Sequence, residues 1–241
     1  MNGNDKGKNL LSLILLFVYS VLLFVTFFSA EEKQEVGATP PESFVVVIDA
    51  GHGGIDGGAE GVKTGTPESE INLAIAEKLR SLLVGGGIKT VMTRSDSGGL
   101  YGLPVPGFKK RDMYRRAEII GEANPAVVIS VHQNSCSSSS RRGSLVYYES
   151  GVEKGRDLAR TVCDSINLMP EKPRDCVPMA GDFFILNNSP NAAIIAECGF
   201  LSNAEDEKLL LDDLYRDKFA YALYVGIVDY MLKKQWRASC G

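Results

Sequence analysis

The chain is poor in the residues that build several common kinds of site. Among its 241 residues are only two histidines, His52 and His132, too few for a metal site built from histidine alone. Its five cysteines include no Cys-x-x-Cys pair and are too few for a scaffold held together by disulfides. The net charge of −4 gives no global attraction to nucleic acid, so no nucleic-acid partner is expected. A metal site in this chain would need carboxylate ligands beside histidine.

What the sequence does have is a long hydrophobic run near its start. Residues 10–30 contain no charged side chain and are numerous enough to span a bilayer as a helix. Phe28 stands where a cleavage site prefers a small residue, which favours a signal-anchor over a cleaved signal peptide. Because Lys6 and Lys8 precede the run, we expect a cytoplasmic tail at 1–9 and an exported remainder held at the outer face of the membrane.

The rest of the chain predicts one folded domain. An acidic, Pro-containing tether at 31–43 leads to a domain at 44–235, followed by a short tail at 236–241. Apolar β-branched runs alternate with segments of helical periodicity. The predicted strands are 44–48, 89–93, 126–131, 144–148 and 192–196, and the predicted helices are 70–83, 111–123, 156–168, 204–211 and 215–233. This alternation predicts an α/β fold: a single layered domain whose mostly parallel or mixed central sheet is flanked by helices, behind the N-terminal hydrophobic segment.

Three chemically capable side chains follow predicted strands. His52 comes after the first strand across a glycine-rich turn, and His132 and Glu197 directly follow two later strands. Ligands of open α/β sheets bind beyond the carboxyl ends of the strands, so we expect these residues to share one site. Glu197, at the mouth of an apolar run, is the candidate general base because burial raises a carboxyl pKa.

The residue pattern leaves the third metal ligand open. A catalytic zinc ion takes three protein ligands. Because the chain has only two histidines, the third ligand should be a carboxylate. Glu68 and Glu70 both open the second predicted element, where the helix dipole favours an acid in any case. Asp56 and Glu60, in the preceding loop, are further candidates.

Four blocks of sequence, taken together, carry a family resemblance. They occur in the order VVVIDAGHGGIDGGAEG, ESEINLAIAEKL, VISVHQNS and AIIAECGFLSN. In this order and spacing, the chain resembles the zinc-dependent N-acetylmuramoyl-L-alanine amidases of the amidase-3 family over residues 44–233. The resemblance implies hydrolysis of the amide between N-acetylmuramic acid and L-alanine in peptidoglycan, with one zinc ion as cofactor.

The resemblance also assigns roles to individual residues. It implies that His52, Glu68 and His132 are the zinc ligands, that Glu197 is the catalytic glutamate, and that Asn134 lies near the metal as a candidate substrate-binding residue. The chain departs from the family pattern at a few neighbouring positions, none of which is a ligand or the base. These are Ser69, where lysine is frequent, Gln133, where a small residue is usual, and Cys198, where leucine is common.

A compact domain behind a membrane segment is most similar to the sporulation and germination-specific cortex amidases of this family. That similarity implies removal of stem peptides from spore cortex on the forespore-cortex side, ahead of muramic-δ-lactam formation. The implied partners are the peptidoglycan polymer, the membrane and an exported sporulation lipoprotein. A zinc peptidase cutting within the stem peptide and a non-catalytic membrane-anchored wall-binding regulator are the alternatives.

Two further points stay open from the sequence. The loops 95–110, 135–140 and 169–181 are candidate walls of an open groove, and Arg116 is a candidate partner for stem-peptide carboxylates. Cys163 and Cys176 could approach each other, but free buried thiols are an equal expectation, so no bridge is predicted.

Overall fold

A computed structural model describes residues 44–171 and 173–239. This part of the chain contains six strands and six helices. The strands are β1 Val45–Ala50, β2 Lys89–Met92, β3 Val127–Asn134, β4 Leu145–Glu149, β5 Pro178–Gly181 and β6 Ala192–Phe200. The helices are α1 Glu68–Gly85, α2 Phe108–Ala123, α3 Glu153–Ile166, α4 Phe184–Asn187, α5 Ala204–Leu211 and α6 Asp213–Ser239.

The strands form one mixed sheet in the order β2-β1-β3-β6-β4-β5. All neighbouring pairs are parallel except β4 and β6, which run antiparallel. One face packs a large apolar cluster against α1, α3 and α6, and the other packs a smaller cluster beneath α2 and α4. Because both faces are covered, β1 is buried at every position, and all of its residues except Asp49 are apolar. The predicted α/β class with a mixed, helix-flanked sheet is confirmed.

The structure corrects several predicted boundaries. β3 and β6 continue to Asn134 and Phe200, past the polar residues at which the apolar pattern stopped. The irregular stretch 169–181 contains β5, and the four-residue helix α4 follows it, since neither is long enough to show periodicity. Helices α2 and α3 begin three residues earlier than predicted, because polar first turns carry no apolar signal.

The predicted tail, membrane segment and tether at 1–9, 10–30 and 31–43 lie outside the described residues. Within 44–171 and 173–239, no helix combines the length and the apolarity needed to cross a bilayer. Helix α6 extends to Ser239, so the predicted C-terminal tail at 236–241 is helical for most of its length.

Candidate metal centre

The sheet brings the two histidines and Glu197 to one edge. β1, β3 and β6 lie side by side and parallel, so their carboxyl ends meet. His132 on β3 is in direct register with Glu197 on β6, and His52 comes two residues after β1 ends. The rings of His52 and His132 lie edge to face with centroids 5.0 Å apart. The shared site expected from the strand ends is therefore present.

Glu68 is the carboxylate that joins the two histidines. It opens α1 with its side chain buried, whereas Glu70 and Glu60 are exposed. Glu68 Oε1 lies 2.9 Å from His132 Nδ1 and 3.3 Å from His52 Nε2. One ligand atom from each of these residues falls within 4.8 Å of the other two, a grouping that could hold a metal ion.

The local charges keep Glu68 ionised. Burial on its own would raise the pKa of this carboxyl, but hydrogen bonding with His132 and His52 outweighs burial and holds the pKa well below its usual range. Its second oxygen, Oε2, accepts a hydrogen bond from the backbone N–H of Ala59 at 2.9 Å. The carboxylate is thus fixed, charged and directed at both imidazoles.

His52 sits in a strained turn that buried arginines support. Its φ of 60° is left-handed, a conformation that is costly for residues other than glycine. Arg116 donates hydrogen bonds to the carbonyl oxygens of Ala50 (2.8 Å) and His52 (2.6 Å). Arg94 donates to the carbonyl oxygens of Ala50 (2.9 Å) and Gly51 (3.0 Å). Two guanidinium groups therefore hold three consecutive carbonyls and fix the direction of the His52 side chain.

This geometry assigns Arg116 a place different from the predicted one. The residue was expected to meet stem-peptide carboxylates, but only 2% of its surface is exposed. Its guanidinium contacts Asp49 and Asp112, at 2.5 Å each, in addition to the two carbonyls. All of these partners belong to the protein, so the structure gives the substrate-binding prediction for Arg116 no support and places the residue beneath the site.

Asp49 is the buried counterion of this support. Burial alone would raise its pKa, but Arg116 together with the hydroxyls of Ser130 and Thr93 lowers the pKa from 3.8 to about 2. A carboxyl whose folded-state pKa is depressed stabilises the fold at pH values above its ordinary pKa. That contribution is present above about pH 4 and is lost as the pH falls toward 2.

Asp56 orients His52 from the other side. Its Oδ2 lies 3.1 Å from His52 Nδ1, and its Oδ1 pairs with Lys109 at 2.9 Å. With Nδ1 engaged by a carboxylate, Nε2 is the nitrogen left to bind a metal, as in many carboxylate–histidine–metal arrangements. Asp56, a candidate ligand at the sequence level, therefore lies behind His52.

Glu197 lines a cavity of about 300 Å³ together with His52 and His132. Its Oε2 is buried and has no hydrogen-bond partner among the described residues. Desolvation by burial is the main reason that the pKa of Glu197 is raised to about 7. The neighbouring Cys198 points the opposite way into the main apolar cluster, as expected from strand alternation.

The far wall of the cavity was not identified from the sequence. It is formed by Phe183, Phe184 and Ile185, which follow β5 in a stretch with no periodic signal. Tyr147 packs at a tilt against Phe183 and Tyr114 packs edge to face against Phe184, with ring centroids 5.0 Å and 5.3 Å apart. An Asp-Phe-Phe-Ile run after an irregular segment is the signal that could have indicated this wall. Asn134, also predicted near the metal, ends β3 two residues beyond His132, and its side chain lies near that of Tyr147.

Gly51 leaves space for the ring of His132, which gives a first prediction. A Cβ at this position would lie 2.3 Å from both Cε1 and Nε2 of His132. We expect Gly51→Ala to displace the ring and lower metal affinity at least tenfold, measured by competition with a chromogenic chelator. Gly85→Ala is the control, since a Cβ there meets no atom within 4 Å. Equal affinities in the two variants would contradict the packing role of Gly51.

Comparison with known proteins identifies the family. The sequence model of the amidase-3 family, whose members are described as N-acetylmuramoyl-L-alanine amidases, matches residues 46–229 of this chain. This chain belongs to the amidase-3 family. It is therefore an N-acetylmuramoyl-L-alanine amidase, an enzyme that hydrolyses the bond between N-acetylmuramic acid and L-alanine in peptidoglycan.

Individual members of the amidase-3 family match over most of the chain. A germination-specific N-acetylmuramoyl-L-alanine amidase of Bacillus subtilis is 28% identical over 95% of this chain and 97% of its own length. The CwlD amidase from Clostridioides difficile, solved in complex with the GerS lipoprotein, is 32% identical with a TM-score of 0.73, covering 78% of this chain and 98% of its own. The catalytic domain of CwlV from Bacillus (Paenibacillus) polymyxa is 29% identical with a TM-score of 0.69, covering 78% and 98%.

Proposed function

We propose that His52, Glu68 and His132 hold one zinc ion and that Glu197 is the general base for hydrolysis of the muramoyl–L-alanine amide. The observation that carries the proposal is the convergence of three ligand atoms within 4.8 Å, next to a carboxyl in register with His132. The predicted ligands and base are the same four residues.

The donor set fits zinc. Two imidazole nitrogens and one carboxylate oxygen are a common protein ligand set of catalytic zinc, which keeps a further position open. His52 Nε2 and His132 Nδ1 both face Glu68 Oε1, so the three donors converge on one point. When bound, zinc polarises a carbonyl and lowers the pKa of a coordinated water toward about 7.

Glu197 supplies the proton transfers. With a pKa raised to about 7 by burial, its carboxylate can take a proton from water near neutral pH. The same carboxyl, once protonated, can deliver that proton to the departing amine of L-alanine. Both histidines face Glu68, so neither is free to serve as the base. The unpartnered Oε2 of Glu197 is the atom that this role requires.

Product masses test the proposed reaction. The full chain is incubated with peptidoglycan, with and without a metal chelator, and the muropeptides are analysed by mass spectrometry. The amidase reaction releases intact stem peptides that begin with L-alanine and leaves bare glycan, and chelation stops it. Clipped stems would instead support the alternative of a zinc peptidase, and the absence of any product would support the non-catalytic wall-binding regulator.

Asp56 gives a prediction about metal retention. Asp56→Asn keeps the shape of the side chain but removes the carboxylate that bonds His52 Nδ1 at 3.1 Å. Loss of such a partner typically lowers metal affinity about 10- to 100-fold, and we expect a decrease in that range by chelator competition. Glu60→Gln, an exposed acid in the same loop, should leave the affinity unchanged. A decrease of the same size in both variants would point to general loss of negative charge.

The relatives also support a proposal for the location and biological role of this chain. We propose that the chain acts outside the cytoplasm, held by the predicted signal-anchor at 10–30, and removes stem peptides in spore cortex. The germination-specific relative in Bacillus subtilis supports the sporulation role. The CwlD complex with the GerS lipoprotein supports an exported lipoprotein as partner. Co-purification of such a lipoprotein with the full chain from sporulating cells tests the partnership, and its absence from the eluate of an active enzyme would contradict it.

A further inference from the structure

Two buried thiols meet on the side of α3. Cys163 lies within α3, Cys176 lies two residues before β5, and their Sγ atoms are 2.8 Å apart. Only 1% of Cys163 and 2% of Cys176 is exposed. The two residues are 13 positions apart in the chain, so the contact closes a short loop.

The backbone beside Cys176 is fixed independently of the sulfur atoms. Asn167, the residue that follows α3, accepts a hydrogen bond from the N–H of Cys176 at 2.7 Å through Oδ1. Its Nδ2 donates to the carbonyl oxygen of Cys176 at 3.0 Å. One amide side chain therefore holds both backbone groups of Cys176 against the end of α3, which keeps its thiol directed at Cys163.

We propose that Cys163 and Cys176 form a disulfide bond in the exported protein. Two thiols lose two protons and two electrons as the S–S bond forms, and the electrons reduce the disulfide of a thiol–disulfide oxidant to two thiols. One thiolate attacks the oxidant to give a mixed disulfide, which the second thiolate then resolves. The presence of such an oxidant rests on the extracytoplasmic location proposed above, and the bond does not depend on the amidase reaction.

The surroundings of the pair determine when the bond forms. Hydrogen bonding with Cys176, reinforced by burial, raises the pKa of the Cys163 thiol well above its usual range. Because the thiolate is the reactive form, exchange in the closed structure is slow. Oxidation therefore accompanies folding, before the segment that carries Cys176 closes over α3.

The bond would restrain the segment that leads into one wall of the active-site cavity. Cys176 lies two residues before β5, and after β5 the chain enters the wall formed by Phe183, Phe184 and Ile185. On the same segment, Arg174 packs against Gly143, where an added Cβ would lie 2.8 Å from Arg174 Cγ. A covalent link at Cys176 anchors this segment to α3, and hence the start of the wall.

Mass mapping of the cysteines tests the bond. The full chain in mild detergent is refolded in a buffer of oxidised and reduced glutathione, free thiols are alkylated under denaturing conditions, and the digest is analysed. We expect a linked peptide pair joining Cys163 and Cys176, two hydrogen atoms lighter than the separate thiol peptides, with the other three cysteines, Cys136, Cys198 and Cys240, alkylated. Alkylation of both Cys163 and Cys176, or a link from Cys176 to Cys198, overturns the proposal.

Thermal unfolding gives a second readout that is independent of the chemistry at the metal centre. Closing a loop of this length should raise the Tm of the oxidised protein by roughly 5 to 10 °C over the reduced protein. Cys136→Ser should keep this response to reductant, and the double variant Cys163→Ala/Cys176→Ala should lose it. A response that persists in the double variant overturns the assignment. A protein that lacks amidase activity but contains the Cys163–Cys176 disulfide would contradict the proposed function and still support the disulfide.

Discussion

Glu197→Gln is expected to lower kcat about 10²- to 10⁴-fold while zinc remains bound. Glutamine preserves the size of the side chain but cannot accept the proton that Glu197 takes from water. The pKa of this carboxyl is raised to about 7 by burial, close to the range in which a base works at neutral pH. Turnover is measured on a soluble muramoyl-peptide substrate, and zinc content is measured on the same samples.

The control for Glu197→Gln is the same substitution at a second acidic residue near the site. Glu70 is exposed in the first turn of α1, two residues from Glu68, and Glu70→Gln should leave kcat and zinc content unchanged. The general-base role is contradicted if Glu197→Gln turns over at the wild-type rate. It is also contradicted if zinc is lost together with activity, because Glu197 would then be acting on the ligand set.

Arg116→Leu is expected to destabilise the fold by about 3 to 5 kcal/mol, since it leaves Asp49 buried without its counterion. Both side chains are 2% exposed, and their contact is 2.5 Å long. The same substitution removes the donors to the carbonyls of Ala50 and His52, which support the left-handed turn at His52. The free energy of unfolding is measured by urea titration of the metal-free full chain.

A neighbouring arginine provides the matched control. Arg115 lies on the same helix but is exposed, with an ion pair to Glu118 as its partner. Exposed pairs of this kind contribute little to stability, so Arg115→Leu should leave the free energy of unfolding close to the wild-type value. Similar losses of unfolding free energy in the two variants would show that Arg116 acts through helix packing. Restoration of stability in the double variant Arg116→Leu/Asp49→Leu would show that the unpaired charge of Asp49 causes the loss.

Much of the site could be predicted because strand ends are visible in the sequence. A buried parallel strand is a continuous apolar run, so the polar residue after it marks the edge where ligands bind. His132 and Glu197 were located in this way, although the strands continue through both residues. His52 needed in addition the glycine-rich turn that brings it back to the same edge.

The residue patterns alone could not separate Glu68 from Glu70. An acid in the first turn of a helix is favoured by the dipole whether or not it has a function, and only burial distinguishes the two. The family resemblance selected Glu68, and in the structure Glu68 is buried between the histidines while Glu70 is exposed.

The support beneath the site was beyond sequence reasoning. Arginine is almost always at least partly exposed, so nothing in the local sequence of Arg94 or Arg116 indicates burial. Most of their partners are backbone carbonyls and Asp49, tens of residues away in the chain, which come together only when the sheet has formed. For the same reason, the wall that follows β5 and the meeting of Cys163 with Cys176 required the tertiary structure.

Zinc analysis of the full chain tests the central claim most directly. The wild-type protein and the Glu68→Ala variant are purified identically, dialysed against trace zinc, and their metal content is measured by mass spectrometry. The account predicts one zinc ion per wild-type chain and a near-complete loss in Glu68→Ala, because the carboxylate supplies one of three ligands. Undiminished zinc in Glu68→Ala would contradict the assignment of this site as the metal centre.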